Sequence, residues 1–523
     1  MSAVPDILQR FERAADGVAA LNRYPFADRR KAWAERLGVN LPELELLDGF
    51  IDGGSCQYVA SANAVESDGI GPPDDAVGMA SIARAAHRKE SNILDPALQA
   101  LQAATQHAHL NAFIQLASDV QLAEQARAAG SASKAGMAQA LLGVPIGVKD
   151  LMAVKGFALT GGTKGGSAQR SSKNALAVSR LRDAGALIIG TTNLHELAYG
   201  ITSENPHYGF VGNPRGLGFI AGGSSGGSAA VVAAGIVGAA VGTDTAGSIR
   251  IPAACCGVVG FKPSYDVIPR QGAMDLGATL DHLGPIARSV DDAALLFSVM
   301  AGLPAQVPQR LSSLKGMRIG VPSNYFFEPL APDVLRAMND AMDRMRADGA
   351  ELVPITLPGM ENSAALQFVT LCSEATAVHW QRLVHRPETL GADVRVRLEI
   401  GQFFPAIWYT RAQGIRTALA AMFQSTMAGI DVLITPTLRT TAPASGTKSL
   451  IVGQQEMPLH AAMTSLTLPF NLTGMPALSM PCGLGVNGLP VGLQLAGARS
   501  DDWKVLAVAA RVERLVRSDE SFI

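Results

Sequence analysis

Three stretches of this chain hold residue types that could together do nucleophilic chemistry on a carbonyl. The first is Ala221-Gly222-Gly223-Ser224-Ser225-Gly226-Gly227-Ser228. The second is Gly242-Thr243-Asp244-Thr245-Ala246-Gly247-Ser248-Ile249-Arg250-Ile251-Pro252-Ala253, and the third, upstream, is Gly143-Val144-Pro145-Ile146-Gly147-Val148-Lys149-Asp150. A glycine-rich turn ahead of a helix exposes backbone N–H groups and lets other groups approach closely. In Thr245-Ala246-Gly247-Ser248 the small residues leave the backbone N–H groups free to converge on one point, as an oxyanion hole needs; one such donor lowers a barrier by about 3–4 kcal/mol. A serine closing that turn is placed to attack, provided a base takes its proton.

Lys149 is the candidate base. An ordinary lysine has a pKa near 10.4, so only about one in a few thousand is neutral at pH 7. Burial would have to lower that value by roughly 2–3, at a cost of about 3–4 kcal/mol. The apolar run Val144–Val148 makes a desolvated position reasonable, and the serine-rich turn supplies hydroxyls to relay the proton. Singly, each element has a plainer reading: a Gly/Ser run as a linker, a lysine after an apolar run as a snorkelling surface residue, a serine beside glycine as a cap. Only the three together are specific.

The elements that must position these residues follow from periodicity. Short apolar runs at Val144–Val148, Ala186–Gly190, Met317–Val321, Val432–Ile434 and Val491–Leu495 predict buried strands. Ser81–His87 and Asp95–Thr105 read as helices. So does the segment after Val321, with Val334, Leu335, Met338, Met342 and Met345 on one side and Gly349 as its stop. Ala229–Ala240, rich in small residues, reads as a closely packed helix. The alternation suggests one sheet covered by helices. Residues 1–51 read as a small helical extension and 52–76, ending in Gly71-Pro72-Pro73-Asp74-Asp75, as a linker, which leaves 77–523 as the catalytic domain.

Composition bounds the function. The chain has 523 residues and a formal charge of −2, without the basic excess of a general nucleic-acid binder. No polybasic run or membrane-length apolar stretch occurs, so neither nucleic acid nor membrane is expected as a partner. Five cysteines without CxxC spacing argue against zinc or a disulfide framework and, with no signal-peptide pattern, point to the cytoplasm.

The two serine-bearing blocks resemble those of the amidase signature family, whose hallmark is Gly-Gly-Ser-Ser-Gly-Gly-Ser followed by Gly-Thr-Asp-x-x-Gly-Ser-Ile-Arg; Ser224 and Ser248 lie 24 apart, as in that family. The resemblance runs from about Met79 to Leu515 and includes Thr192-Asn193-Leu194-His195-Glu196, Gly257–Pro263, Asp281-His282-Leu283-Gly284-Pro285 and Gly488–Gln494. It implies an α/β fold with one central mixed β-sheet covered by helices on both faces, and hydrolysis of a carboxamide without metal or organic cofactor. Residue by residue, it implies Ser248 as nucleophile, Ser224 as a bridging serine held by a cis peptide bond, and Lys149 as base. The N–H groups of Thr245, Ala246, Gly247 and Ser248 become the oxyanion hole, and Ser225, Thr243, Asp244 and Arg250 its support. Many relatives carry glycine at position 246, where this chain has alanine; a backbone donor survives that change.

The expected partner is a small-molecule amide, with a homodimer as a further expectation. The alternative within the family is the glutamine-hydrolysing subunit of a tRNA-dependent amidotransferase; the N-terminal helical unit favours a stand-alone amidase. Outside the family, Gly222-Gly223-Ser224-Ser225-Gly226 satisfies the G-x-S-x-G of an α/β-hydrolase, with His282, His379, His385 or His460 as base, but no strand signal precedes Ser224. His195 and Glu196 are adjacent and read as packing. Phe403, Phe404, Trp408 and Tyr409 form an aromatic cluster that reads as core or as an acyl pocket.

Overall fold

The computed structural model describes residues 78–136, 139–166 and 169–517. The expected helical extension and linker, residues 1–76, lie outside the described residues. Within the described residues one mixed sheet of eleven strands forms the centre. In chain order these are β1 (Phe113–Leu116), β2 (Pro145–Lys149), β3 (Leu187–Thr192), β4 (Ala239–Asp244), β5 (Val259–Lys262), β6 (His282–Ala287), β7 (Arg318–Pro322), β8 (Glu351–Ile355), β9 (Val432–Pro436), β10 (Ala477–Leu484) and β11 (Pro490–Ala496). In space they run β1-β3-β2-β4-β6-β5-β10-β11-β9-β7-β8.

The helices that matter for the site and its support are α1 (Asp119–Lys134), α2 (Gly226–Ala233), α3 (Arg250–Cys256), α4 (Val290–Ala301), α5 (Pro332–Ala347), α6 (Ser363–Val378), α7 (Ala392–Ile400), α8 (Ala406–Met427) and α9 (Asp502–Arg517). Every residue of β2, β3 and β4 is buried, as expected of parallel strands with both faces covered. β2 pairs in parallel with both β3 and β4, so Lys149, Thr192 and Asp244 all stand at carboxyl ends of neighbouring strands. Ligands bind at that edge in open α/β sheets.

Where sequence and structure part, the cause is local. The expected helix through Ala240 stops at Ala233: Gly235 turns the chain at φ +72°, and Ala239–Asp244 becomes β4 between β2 and β6. An Ala/Gly/Val run has no side-chain periodicity to tell helix from buried strand; pairing on both edges decides. The expected strands over 317–321, 432–434 and 491–495 correspond to β7, β9 and β11. α5 begins at Pro332, buries Val334, Met338, Met342 and Met345, and ends before Gly349, whose φ of +101° suits glycine; Leu335 faces outward, 40% exposed.

Candidate active site

The sheet edge fixes three side chains together. Lys149, the last residue of β2, is completely buried, and its Nζ lies 2.7 Å from Ser224 Oγ, 2.8 Å from Ser225 Oγ and 2.7 Å from Thr243 Oγ1, all within hydrogen-bond distance. Ser224 and Ser225 lie in the turn that enters α2, and the Gly223–Ser224 peptide bond is cis. Glycine is required here by contact: a Cβ on Gly223 would lie 2.8 Å from backbone atoms of Ile201 and Thr202, and one on Gly227 would run into the carbonyl oxygens of Asn193 and Ala112. The Ser224 carbonyl accepts from the His195 N–H at 3.1 Å and the Ser203 hydroxyl at 3.3 Å, which anchors the turn.

The proton inventory around Lys149 is constrained. The Ser225 hydroxyl donates to the Thr243 carbonyl at 3.1 Å, so towards the lysine it only accepts. A neutral amine has two N–H groups and one lone pair. With Ser225 and Thr243 taking the two N–H groups, the lone pair is left for the Ser224 hydroxyl proton. Burial, the largest influence, pushes the Lys149 pKa well below its ordinary value, while the negative charges of Asp244 and Asp281 oppose that shift. Lys262 is also fully buried with a lowered pKa, but its Nζ donates to the carbonyls of Pro263 and Met475 and meets no hydroxyl. Only the first of these two lysines is placed to act on a serine.

Ser248 closes the turn before α3 and is 5% exposed; its carbonyl accepts from the Ser225 N–H at 3.2 Å. Its hydroxyl makes no hydrogen bond among the described residues. Catalytic hydrogen bonds often close only when substrate binds.

Asp244 organises the turn between the strand and Ser248. It accepts from Arg250 Nε and NH2, both at 3.0 Å, from Asn471 Nδ2 at 2.8 Å, and from the N–H groups of Gly247 at 2.8 Å and Ile249 at 3.2 Å. Burial alone would raise this carboxyl; the Arg250 guanidinium, assisted by Lys262 and Asn471, more than reverses that and holds it below the ordinary carboxylate value. One of the N–H groups expected to form an oxyanion hole is thereby committed elsewhere. The Gly247 N–H is directed to Asp244, which leaves those of Thr245, Ala246 and Ser248. Arg250 is itself fully buried and also donates to Thr467 O, Gln494 Oε1 and Asn471 Oδ1. Arg250→Met strands a buried carboxylate, and we expect a loss of about 3–5 kcal/mol in chemical denaturation together with loss of activity.

Several of these partners carried no sequence signal. Asp281, whose pKa burial raises to about 6, accepts from Thr245 Oγ1 at 2.6 Å; it was visible only inside its family block. Gln367, Thr467 and Asn471 are ordinary residues far away in sequence.

Of the expected pocket residues, Phe404 meets Phe368 of α6 edge to face and Trp408 of α8 at a tilt, with ring centroids 5.7 and 6.1 Å apart, and Tyr409 donates to Glu374 of α6 at 2.9 Å. Phe403 sits half-buried beside them. The cluster therefore packs α8 on α6. No strand runs directly into Ser224: the nearest one before it, Gly209–Phe210, is two residues long, only isolated bridges at Gly212–Ile220 and Phe219–Ala444 follow it, and the Ser224 hydroxyl meets Lys149, not a histidine. The elbow of an α/β-hydrolase is absent among the described residues.

A family model described as Amidase matches residues 96–506. The chain belongs to the amidase signature family. It resembles a crystal structure of an amidase at 36% identity and a TM-score of 0.79, covering 84% of this chain and 100% of that one. It is 37% identical over 410 residues to one subunit of the glutamyl-tRNA(Gln) amidotransferase of Acidobacterium capsulatum, covering 71% of this chain and 85% of the relative. The crystal structure of the corresponding subunit from Thermotoga maritima matches at 28% identity and a TM-score of 0.69, covering 85% of this chain and 96% of that one. This amidase-family chain is an enzyme of the amide C–N hydrolase type.

The same relatives correct one expectation. A small-molecule amide without nucleic acid, and a homodimer, were the expected partners; the curated relatives are named as one subunit of an amidotransferase for glutamyl-tRNA(Gln). A near-neutral charge excludes broad nucleic-acid binding, yet says nothing of a chain that reaches tRNA chemistry through other subunits. No helix among the described residues is long and apolar enough to cross a membrane.

Proposed function

We propose that this chain hydrolyses a carboxamide through an acyl-enzyme on Ser248, and that it does so as the glutamine-hydrolysing subunit of a tRNA-dependent amidotransferase. The observation that carries the chemistry is the fully buried Lys149 amine, 2.7 Å from the Ser224 hydroxyl. Ser248 Oγ attacks the amide carbon as its proton passes to Ser224 and the Ser224 proton to Lys149 Nζ. The N–H groups of Thr245, Ala246 and Ser248 receive the oxyanion. The C–N bond breaks as the relay returns a proton to the departing nitrogen, releasing ammonia. Water then attacks the ester through the same relay, giving the acid and free Ser248.

The amidotransferase reading is supported by 37% identity spanning 85% of a curated glutamyl-tRNA(Gln) amidotransferase subunit. A stand-alone amidase is the second reading, favoured by the higher TM-score of 0.79 against a solved amidase than the 0.69 against the Thermotoga maritima protein. Either reading suits the cytoplasm, and the four described cysteines, Cys255, Cys256, Cys372 and Cys482, are free and buried. Ammonia release from L-glutamine separates the two. As part of an amidotransferase, the chain should hydrolyse glutamine and gain at least about 10-fold in rate when the other amidotransferase subunits and charged tRNA are added. Unchanged turnover with those additions, or none of glutamine beside rapid turnover of other amides, would overturn the amidotransferase reading.

A further inference from the structure

Gln367 lies in α6, 122 residues from the oxyanion turn, and is 4% exposed. Its Nε2 donates to the Thr245 carbonyl at 2.9 Å, whereas its Oε1 is buried with no hydrogen-bond partner among the described residues. The amide is thus held by its NH2 end alone. A flipped amide would set oxygen against oxygen, so the carbonyl of Thr245 fixes the orientation.

In a trans peptide the C=O and the following N–H point in opposite directions. The hydrogen bond on Thr245 O therefore sets the direction of the Ala246 N–H. The next peptide is held differently: Thr467 Oγ1 donates to the Ala246 carbonyl at 2.6 Å, and its N–H, on Gly247, goes to Asp244. Each of the two peptides is clamped at its carbonyl by a side chain from a distant segment, and only the first keeps its N–H free for substrate. We propose that Gln367 is a positioning residue for the oxyanion hole, aiming the Ala246 N–H at the developing oxyanion. This inference rests on the acyl-enzyme reading above.

α6 also carries Phe368, packed edge to face against Phe404, and Glu374, which receives Tyr409 Oη together with the N–H and hydroxyl of Thr279. The helix that aims the donor is thus the one on which the aromatic cluster packs. Repacking of that cluster would be felt at the oxyanion turn through Gln367.

Gln367→Met keeps length and removes the donor. With L-glutamine as substrate, kcat should fall by about 10- to 100-fold with KM changed less than about 3-fold, because the lost interaction exists only in the transition state. The diagnostic readout is the rate ratio of L-glutamine to its γ-thioamide. Sulfur accepts hydrogen bonds poorly, so a well-aimed N–H favours oxygen, and the ratio should shrink in the variant. Gln367→Glu gives a second handle. Its carboxyl donates to Thr245 O only when protonated, so the ratio of variant to wild-type kcat should rise as pH falls, with the Lys149 titration cancelling in the ratio. An unchanged amide-to-thioamide ratio in Gln367→Met, or a pH-independent kcat ratio in Gln367→Glu, would overturn the proposal. Ser248→Ala is assayed alongside: activity persisting there sinks the acyl-enzyme reading, whereas an inactive Ser248→Ala with a normal Gln367→Met sinks only this inference.

Discussion

Ser248→Ala is expected to lower kcat for amide hydrolysis by about 10⁶-fold while leaving substrate affinity within a few-fold. The serine is the only atom that bonds covalently to the acyl group in the proposed cycle, and its removal leaves the Thr245 and Ala246 donors in place. Those donors are fixed by partners that do not involve the Ser248 side chain: Asp281 on the Thr245 hydroxyl, Gln367 on the Thr245 carbonyl and Thr467 on the Ala246 carbonyl. The variant should therefore still bind substrate and fold as the parent does. Quenching wild-type turnover and weighing the protein should reveal an acyl adduct on Ser248, absent from the variant. An adduct on Ser224 would reverse the roles of the two serines.

The second large effect concerns the base. Lys149→Met should lower kcat by about 10⁴-fold, since no other titratable group meets Ser224 Oγ among the described residues. In the wild type, activity should rise with pH as the amine loses its proton and fall as pH drops through its lowered pKa. Stability carries the same signature. A lysine whose folded pKa lies below its unfolded value binds fewer protons folded than unfolded between the two. Its contribution is fully present above the unfolded pKa, near 10.4, and is lost as pH falls towards the folded one. Denaturation midpoints of wild type and Lys149→Met should therefore diverge as pH is lowered from 10, with the variant gaining relative stability. Parallel curves would mean that residue 149 holds its proton in the native state.

The sequence made part of this arrangement legible and left part of it hidden, for physical reasons. Lys149, Ser224 and Ser248 could be read because a lysine closing an apolar run and two serines in glycine-rich turns are rare types in rare settings. Asp244 and Arg250 came with the same block. β4 was lost to a helix because Ala239-Ala240-Val241-Gly242 carries no periodicity, and only its pairing with β2 and β6 makes it a strand. The commitment of the Gly247 N–H to Asp244 depends on a turn geometry that residue types do not encode. Gln367 and Asn471 are invisible in sequence, since their roles arise from contacts with Thr245 and Asp244 across 122 and 227 residues. The partner was misjudged for a different reason: net charge reports on the surface of one chain and is silent about other chains that join it.

The protonation state of one buried amine carries the whole account. With ¹⁵N-labelled lysine and Lys149→Met to assign the signal, NMR of the Nζ resonance reads that state directly. A neutral amine for Lys149 at pH 7, titrating below the surface lysines, is the expected result. An ammonium signal that persists at pH 7 and titrates with the surface lysines would contradict it.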